Sequence, residues 1–112
     1  MNWQEITEEA EVDQLKEASK NHPVLIFKHS TRCSISATSL DRLERNWKEA
    51  EMVNIKPFYL DLIKYRGVSN KIQNIFHIEH QSPQILVIKD GQCVYNASHI
   101  EINYKDIREW VS

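Results

Sequence analysis

Cysteine is scarce in this sequence, with two residues among 112. So small a number cannot build the disulfide scaffold on which many small secreted domains depend. Long apolar runs are missing near the start of the chain, because residues 1–14 are acidic and contain no run of seven apolar residues. They indicate neither a signal peptide nor a membrane span. We therefore expect a protein of the cytoplasm, in which cysteine chemistry is reactive and not architectural.

Blocks of like charge are missing as well. The formal net charge is -2, and acidic and basic residues alternate along the chain, so a nucleic-acid partner is not indicated. Charged residues make up 27% and hydrophobic residues 41% of the chain, an ordinary globular composition that argues against disorder. With no repeat and no linker, residues 1–112 are expected to form one domain that buries roughly two-thirds of its unfolded surface.

The first half of the chain predicts a helix, a buried strand and a second helix. Thr7 is the expected cap of the first helix, and Pro23 prevents the extension of that helix. The unbroken apolar run at residues 24–27 is typical of a strand covered on both faces, so we expect it at the centre of a sheet. Residues 33–50 lack glycine and proline and place Ser36 and Trp47 on one helical face.

The second half predicts a strand, a helix, a hairpin and a last helix. Residues 53–62 indicate a strand at an edge or with a short pairing, because Pro57 removes a donor, and we expect little or nothing of the sheet beyond it. Residues 67–78 indicate a helix. Asp90-Gly91 predicts a tight hairpin, and Asn103 is the expected cap of a closing helix. With a short strand near residues 3–6, this order favours an α/β fold with a mixed sheet and helices on both faces.

The corner after the central strand presents Cys33 at the start of the second helix. Unpaired N–H groups and the positive end of a helix dipole favour a thiolate there, and the neighbouring Arg32 adds positive charge. A buried and inert cysteine is the alternative, but the polar run at residues 29–32 favours exposure. We therefore expect Cys33 to be a reactive thiol.

Ser36 stands where a dithiol site would carry its second cysteine. Its hydroxyl can donate a hydrogen bond to a Cys33 thiolate, or it can fill a polar gap as an ordinary helix residue. Under either interpretation a hydroxyl cannot form a disulfide. A mixed disulfide on Cys33 is therefore expected to persist until an outside thiol attacks it.

The stretch FKHSTRCSIS, with SPQ about fifty residues later and the KDGQ hairpin after it, resembles the thioredoxin fold. Within that fold it is similar to the YtxJ-type monothiol bacilliredoxins of the bacillithiol system. The resemblance implies an α/β, thioredoxin-like fold with a central mixed four- to five-stranded sheet flanked by helices on both faces. It departs from thioredoxin in having no tryptophan before the cysteine and no second cysteine after it, so a dithiol reductase is not implied.

The same resemblance implies a monothiol oxidoreductase that removes bacillithiol from oxidised proteins. Cys33 would be the attacking thiolate, supported by Thr31, Arg32 and Ser36. Bacillithiol would be a co-substrate, with no other cofactor and no metal, and the partners would be S-bacillithiolated proteins and a regenerating reductase. Ser82 and a cis Pro83 would face Cys33 and present backbone to the substrate. His29, Arg32 and, as the weakest candidate, the strand residue Lys28 would supply cations for the bacillithiol carboxylates.

Other interpretations remain open at this point. A redox-inactive adaptor with the same fold and a glutaredoxin-like iron–sulfur carrier are the rival functions. Cys93 lies about 20 Å along the strands from the expected site and is predicted to be a small apolar strand residue. His77 and His80 are expected on the surface or in loops, and Trp47 and Trp110 in the core.

Overall fold

The computed structural model describes residues 2–111. Within these residues, five strands form a mixed sheet, flanked by four helices and two short 3-10 helices. The strands are β1 (Gln4–Glu5), β2 (Val24–His29), β3 (Lys56–Asp61), β4 (Gln84–Lys89) and β5 (Gln92–Ser98). The helices are α1 (Glu9–Ala18), α2 (Ser34–Asn46), α3 (Arg66–Phe76) and α4 (Tyr104–Val111), and the 3-10 helices are Glu49–Glu51 and His99–Glu101.

The central position predicted for the apolar run is confirmed. The order in the sheet is β1-β3-β2-β4-β5, and all six residues of β2 are buried. Strand β2 runs parallel to β3 and antiparallel to β4. A strand between two partners and under helices on both faces needs apolar side chains in both directions, which accounts for the unbroken run.

Side chains alternate between the two faces of β2 and divide the core in two. Leu25 and Phe27 contribute to a cluster with residues of α2 and α4. Val24 and Ile26 contribute to a second cluster with residues of α1 and α3. Because the alternation has a period of two, His29 points toward the face of α2 and Lys28 toward the face of α3. His29 can therefore contact residues of the helix that follows Cys33, whereas Lys28 cannot.

The cap of the first helix is Glu8, not Thr7 as expected. The carboxylate of Glu11 explains the difference, because it accepts hydrogen bonds from the Thr7 N–H, the Thr7 hydroxyl and the Glu8 N–H at 3.2–3.3 Å. Thr7 therefore contributes to the start of the helix from one residue further out.

Two helices are shorter than expected. The second helix begins after Cys33 and ends at Asn46. Trp47 has extended backbone, and its ring packs against that of Tyr104 in α4 with centroids 5.8 Å apart. The third helix ends at Phe76 because His77 adopts the left-handed conformation, with φ of 58°. A left-handed residue is a common helix terminator.

The strand around Pro57 spans 56–61 instead of 53–62. Among the described residues, only the two-residue β1 pairs beyond it. This agrees with the prediction that little of the sheet lies past a proline. The N–H of Lys56 donates to the carbonyl of Pro23 on the β2 side. Neighbouring residues of a parallel strand alternate between partners, so the missing donor of Pro57 falls on the sparsely paired outer side.

The hairpin and the last helix are confirmed, with one correction. Asp90 and Gly91 both have positive φ, as a tight two-residue turn requires. Asn103 Oδ1 accepts a hydrogen bond from the Asp106 N–H at 3.0 Å. Trp110, expected in the core, is 43% exposed and stacks on Tyr95 with centroids 5.8 Å apart. No helix within residues 2–111 is long and apolar enough to cross a membrane.

Candidate active site

Cys33 is the N-cap residue of α2, at the end of a tight corner that leaves β2. Its backbone is extended, with φ of -109° and ψ of 119°. Its N–H donates to the Ser30 carbonyl over 3.1 Å, and its own carbonyl accepts from the Ala37 N–H at the same distance. The thiol is partly exposed and makes no hydrogen bond to another of the described residues. The first N–H groups of a helix have no acceptor within the helix, so they lie where a thiolate at the N-cap benefits from them.

The residues just before Cys33 face solvent. Thr31 and Arg32 are both exposed. Arg32 forms no ion pair with another residue in the described part of the chain, so its guanidinium is available to a bound anion. It is therefore the accessible cation nearest in sequence to the sulfur. Its contact with a substrate stays a prediction.

The hydroxyl of Ser36 joins the start of α2 to the end of β2. Ser36 is fully buried, and its Oγ accepts a hydrogen bond from the Ser30 N–H at 3.1 Å. The same Oγ shares a 2.6 Å hydrogen bond with Nδ1 of His29. Cys33 and Ser36 occupy the N-cap and N3 positions, which lie close together in any helix. The contacts found for Ser36 are those of a residue that fills a polar gap beneath the cysteine.

His29 lies in the interior and not on the surface. It is 6% exposed, and its ring centroid is 5.5 Å from that of Tyr59 and 6.1 Å from that of Phe27. Burial lowers the pKa of His29, against the opposing influence of Asp61 and Glu44, so the ring is neutral at physiological pH. A direct contact between His29 and a substrate carboxylate therefore stays a prediction, with no exposed charge to support it.

Ser82 and Pro83 lie at the same end of the sheet as Cys33. Gln84 pairs with Lys28, which puts Pro83 at the level of His29, and the Ser82–Pro83 peptide bond is cis. The Pro83 carbonyl accepts a hydrogen bond from the His99 N–H at 3.0 Å. The backbone of Ser82 bonds to no other described residue, so its N–H and carbonyl are free for a ligand.

A shallow cavity of about 190 Å³ lies beside the first turn of α2. The 3-10 helix after β5 forms the opposite wall of this cavity. Hydrogen bonds from α2 hold that helix in place: the Ser39 hydroxyl donates to the His99 carbonyl, and the Arg42 guanidinium donates to the carbonyls of Ile100 and Ile102. Two exposed apolar side chains, Ile35 at 53% and Ile100 at 80%, border it. Sequence reasoning missed this wall, because residues 60 apart in the chain give no local signal of their proximity.

The full lining of this cavity is Ser34, Ile35, Thr38, Ser39, Arg42 and Ile100.

Lys28, the weakest of the candidate cations, lies in the interior and not at the corner. Its side chain is fully buried on the α1 and α3 face, opposite the helix that carries Cys33, and Nζ has no hydrogen-bond partner among the described residues. Burial lowers the pKa of Lys28 to about 8, and Cys93 opposes this weakly. The structure therefore removes Lys28 from the cations available at the corner.

Cys93 lies at the other end of the sheet, as its strand position predicts. It pairs with Ile88, which pairs with Val24 at the start of β2, whereas Cys33 follows the end of that strand. Cys93 therefore lies beside the start of β2 and Cys33 beyond its end, and the length of β2 alone separates these two positions by roughly 17 Å at strand rise. The Cys93 thiol donates to the Tyr95 carbonyl, and burial raises its pKa to about 11. Cys93 is therefore protonated and out of reach of Cys33.

The histidines near α3 do not assemble a metal site. His77 is exposed at the helix end, and His80 is partly buried with its Nδ1 3.2 Å from the Ser69 hydroxyl. Within residues 2–111, no three side chains of the types His, Cys, Asp and Glu are placed to hold a metal ion.

The fold and the corner define the class of protein. A solved structure described as a candidate oxidoreductase with a thioredoxin fold matches at a TM-score of 0.80 and 26% identity, over 95% of this chain and 90% of that chain. Thioredoxin from Fasciola hepatica matches at 0.73 and 17% identity, over 96% and 95% of the two chains. Thioredoxin from Plasmodium falciparum matches at 0.72 and 18% identity, over 99% and 100%. The chain has a thioredoxin-like oxidoreductase fold with one cysteine, Cys33, at the corner between β2 and α2.

The family is more specific than the fold. The family model of the monothiol bacilliredoxin BrxC matches residues 4–107. The chain belongs to this family, as the motif around Cys33 indicated.

Proposed function

We propose that this protein is a monothiol thiol-disulfide oxidoreductase that removes bacillithiol from mixed disulfides on oxidised proteins. The observation that supports this most directly is the isolation of Cys33: a partly exposed thiol at a helix N-cap, with Ser36 in place of a resolving cysteine. A single accessible thiol can exchange one disulfide for another, but it cannot form a disulfide within the site.

The reaction has two exchange steps. The Cys33 thiolate attacks the bacillithiol sulfur, a new S–S bond forms, the old one breaks, and the protein thiolate leaves and takes a proton from water. A second thiolate, from free bacillithiol or from a partner reductase, then attacks the bacillithiol sulfur on Cys33. Cys33 leaves as a thiolate and the bacillithiol departs in a disulfide with the attacking thiol. We place this reaction in the cytoplasm, where reducing thiols are abundant.

Three features of the corner suit such a substrate. The exposed guanidinium of Arg32 can pair with the carboxylates of the bacillithiol malate group. The free backbone of Ser82 beside the cis Pro83 can pair with an extended backbone. The cavity bordered by Ile35 and Ile100 can receive an apolar side chain of the oxidised protein.

The test uses a protein modified with bacillithiol and follows the adduct by intact-mass spectrometry. Wild type should remove the adduct and carry it transiently on Cys33, and Cys33→Ala should remove none. Cys93→Ala is the matched control and should keep most of the activity, because its sulfur lies at the opposite end of the sheet. Equal loss in both variants would overturn the monothiol cycle.

A parallel reaction with a glutathione-modified protein tests the choice of thiol. Faster removal of bacillithiol supports the role proposed for Arg32, and Arg32→Ala should reduce that preference. Removal of neither adduct by folded wild type would overturn the proposed function and favour the rival functions, of which a redox-inactive adaptor is the first.

A further inference from the structure

The hydroxyl of Ser36 has one hydrogen to donate, and the structure limits where it can go. A serine oxygen carries one hydrogen and two lone pairs. The Ser30 N–H can only donate, so it takes one lone pair of the Ser36 oxygen. The 2.6 Å contact with His29 Nδ1 then uses either the remaining lone pair or the hydrogen itself.

The hydrogen on the His29 ring decides between these two states. If Nδ1 is bare, Ser36 donates to it and has no hydrogen left for Cys33. If Nδ1 carries a hydrogen, Ser36 accepts from it and its own hydrogen is free to turn toward Cys33, three residues earlier in the helix. The state of His29 therefore controls whether the sulfur receives a hydrogen bond from Ser36.

The burial of the ring and the length of its contact with Ser36 together favour a bare Nδ1. The titratable groups that face His29 are Asp61 and Tyr59 of β3 and Glu44 of α2. Burial lowers the pKa of His29 and keeps the ring neutral, so it carries one hydrogen. Nδ1 and the Ser36 oxygen are 2.6 Å apart, which is shorter than the roughly 2.7–3.2 Å usual for an N–H donor and within the range of a hydroxyl donor, so we assign the ring hydrogen to Nε2.

We propose that His29 is a positioning residue for Cys33, whose Nδ1 accepts the Ser36 hydroxyl hydrogen and keeps this hydroxyl off the cysteine sulfur. The inference rests on the proposed function, since it takes Cys33 as the attacking thiol. A thiolate that is held only by the helix start keeps more of its nucleophilicity than one that also accepts a hydroxyl hydrogen bond. The same pair fastens the first turn of α2 to the end of β2.

The first test needs no substitution in the protein measured. Long-range proton–nitrogen correlation spectra of ¹⁵N-labelled wild type at neutral pH report which ring nitrogen of each histidine carries the hydrogen. The signal of His29 is identified by its loss in His29→Asn. We expect Nε2 to be protonated and Nδ1 bare, and a hydrogen on Nδ1 would overturn the proposal.

The second test measures the alkylation rate of Cys33 against pH with iodoacetamide, in a Cys93→Ala background. Ser36→Ala should leave the pH midpoint unchanged within about 0.2, because its hydroxyl does not contact the sulfur. His29→Phe removes the acceptor and frees the hydroxyl, so it should increase the thiolate population below the midpoint by about threefold to tenfold. This increase should vanish when His29→Phe is combined with Ser36→Ala.

Two further variants separate positioning from a general structural effect. His29→Asn retains an acceptor near the place of Nδ1 and should restore the wild-type midpoint. His22→Asn, at the opposite end of β2, is the matched histidine control. A raised midpoint in Ser36→Ala, or an effect of His29→Phe that persists without the hydroxyl, would overturn the proposal. Neither test uses bacillithiol, so failure here and failure of the proposed reaction are distinguishable.

Discussion

Replacing Lys28 with methionine should make the protein more stable. The Lys28 ammonium is fully buried and Nζ has no partner among the described residues, so the substitution breaks no hydrogen bond that the structure shows. Burial lowers the pKa of Lys28 from 10.5 to about 8. At about 1.4 kcal/mol for each pH unit, keeping this amine protonated in the fold costs about 3 kcal/mol at pH 7. Methionine fills a similar volume without the charge.

The pH dependence has a definite sign. Below pH 8 the amine is protonated in both the folded and the unfolded chain, and the full cost is present. Between pH 8 and 10.5 the folded chain has lost a proton that the unfolded chain still holds, so the stability of wild type rises with pH. The advantage of Lys28→Met should therefore shrink by about 1 kcal/mol from pH 7 to pH 9.

Urea unfolding followed by tryptophan fluorescence measures both effects. At pH 7 we expect the free energy of unfolding of Lys28→Met to exceed that of wild type by about 2–3 kcal/mol. Lys56→Met, at an exposed position of β3, is the matched control and should change it by less than about 0.5 kcal/mol. Cys93 is present in both proteins, so its titration largely cancels in the difference. A lower stability of Lys28→Met than of wild type, or the same difference in stability at both pH values, would show that burying the Lys28 ammonium has no such cost.

Two more substitutions test the site and the last helix. Ser36→Cys should place a second thiol one turn from Cys33, so that a bound bacillithiol is expelled as an internal disulfide forms. Wild type should keep its adduct until an external thiol is added, and mass spectrometry distinguishes the two results. An equally stable adduct in both proteins would show that the side chain at position 36 cannot reach the Cys33 sulfur. Asn103→Ala should lower the free energy of unfolding by about 1 kcal/mol because it removes the cap of α4, and Asn103→Ser should restore most of this loss. Urea unfolding measures these differences. Equal stability of wild type and both variants would show that Asn103 does not stabilise α4 as its cap.

The order of elements could be predicted from the sequence because each rested on a local signal. Four apolar residues in succession place β2 at the centre, and Asp90-Gly91 admits the positive φ values of the hairpin. Helix ends were harder to predict, because tertiary contacts set them. Helix α2 ends four residues early, where Trp47 leaves the helix and packs on Tyr104, and no local pattern records a contact between residues 57 apart.

The burial of polar side chains could not be predicted from the sequence. His29 belongs to the polar run at residues 29–32 that indicated exposure, and Lys28, the residue before it, was the weakest candidate cation. The alternation of the strand instead sends them to opposite faces of the sheet, each under a helix. Cys33 could be identified because its position at a strand–helix corner is local. The partner that His29 finds in Ser36 depends on how α2 packs, which the chain does not reveal locally.

The two cysteines differ in a way that makes a dithiol cycle within one chain unworkable. Cys33 is partly exposed at the start of a helix, whereas the pKa of Cys93 is raised to about 11 by burial, so Cys93 is protonated at neutral pH and a poor nucleophile. The register of β4 and β5 also puts Cys93 at the far end of the sheet from Cys33, beyond the 7 Å or so that a disulfide spans. The nearest position for a resolving thiol is 36, and there a buried hydroxyl is bound to His29 and Ser30. An adduct on Cys33 therefore has no nucleophile inside the chain, and its release depends on a thiol from outside.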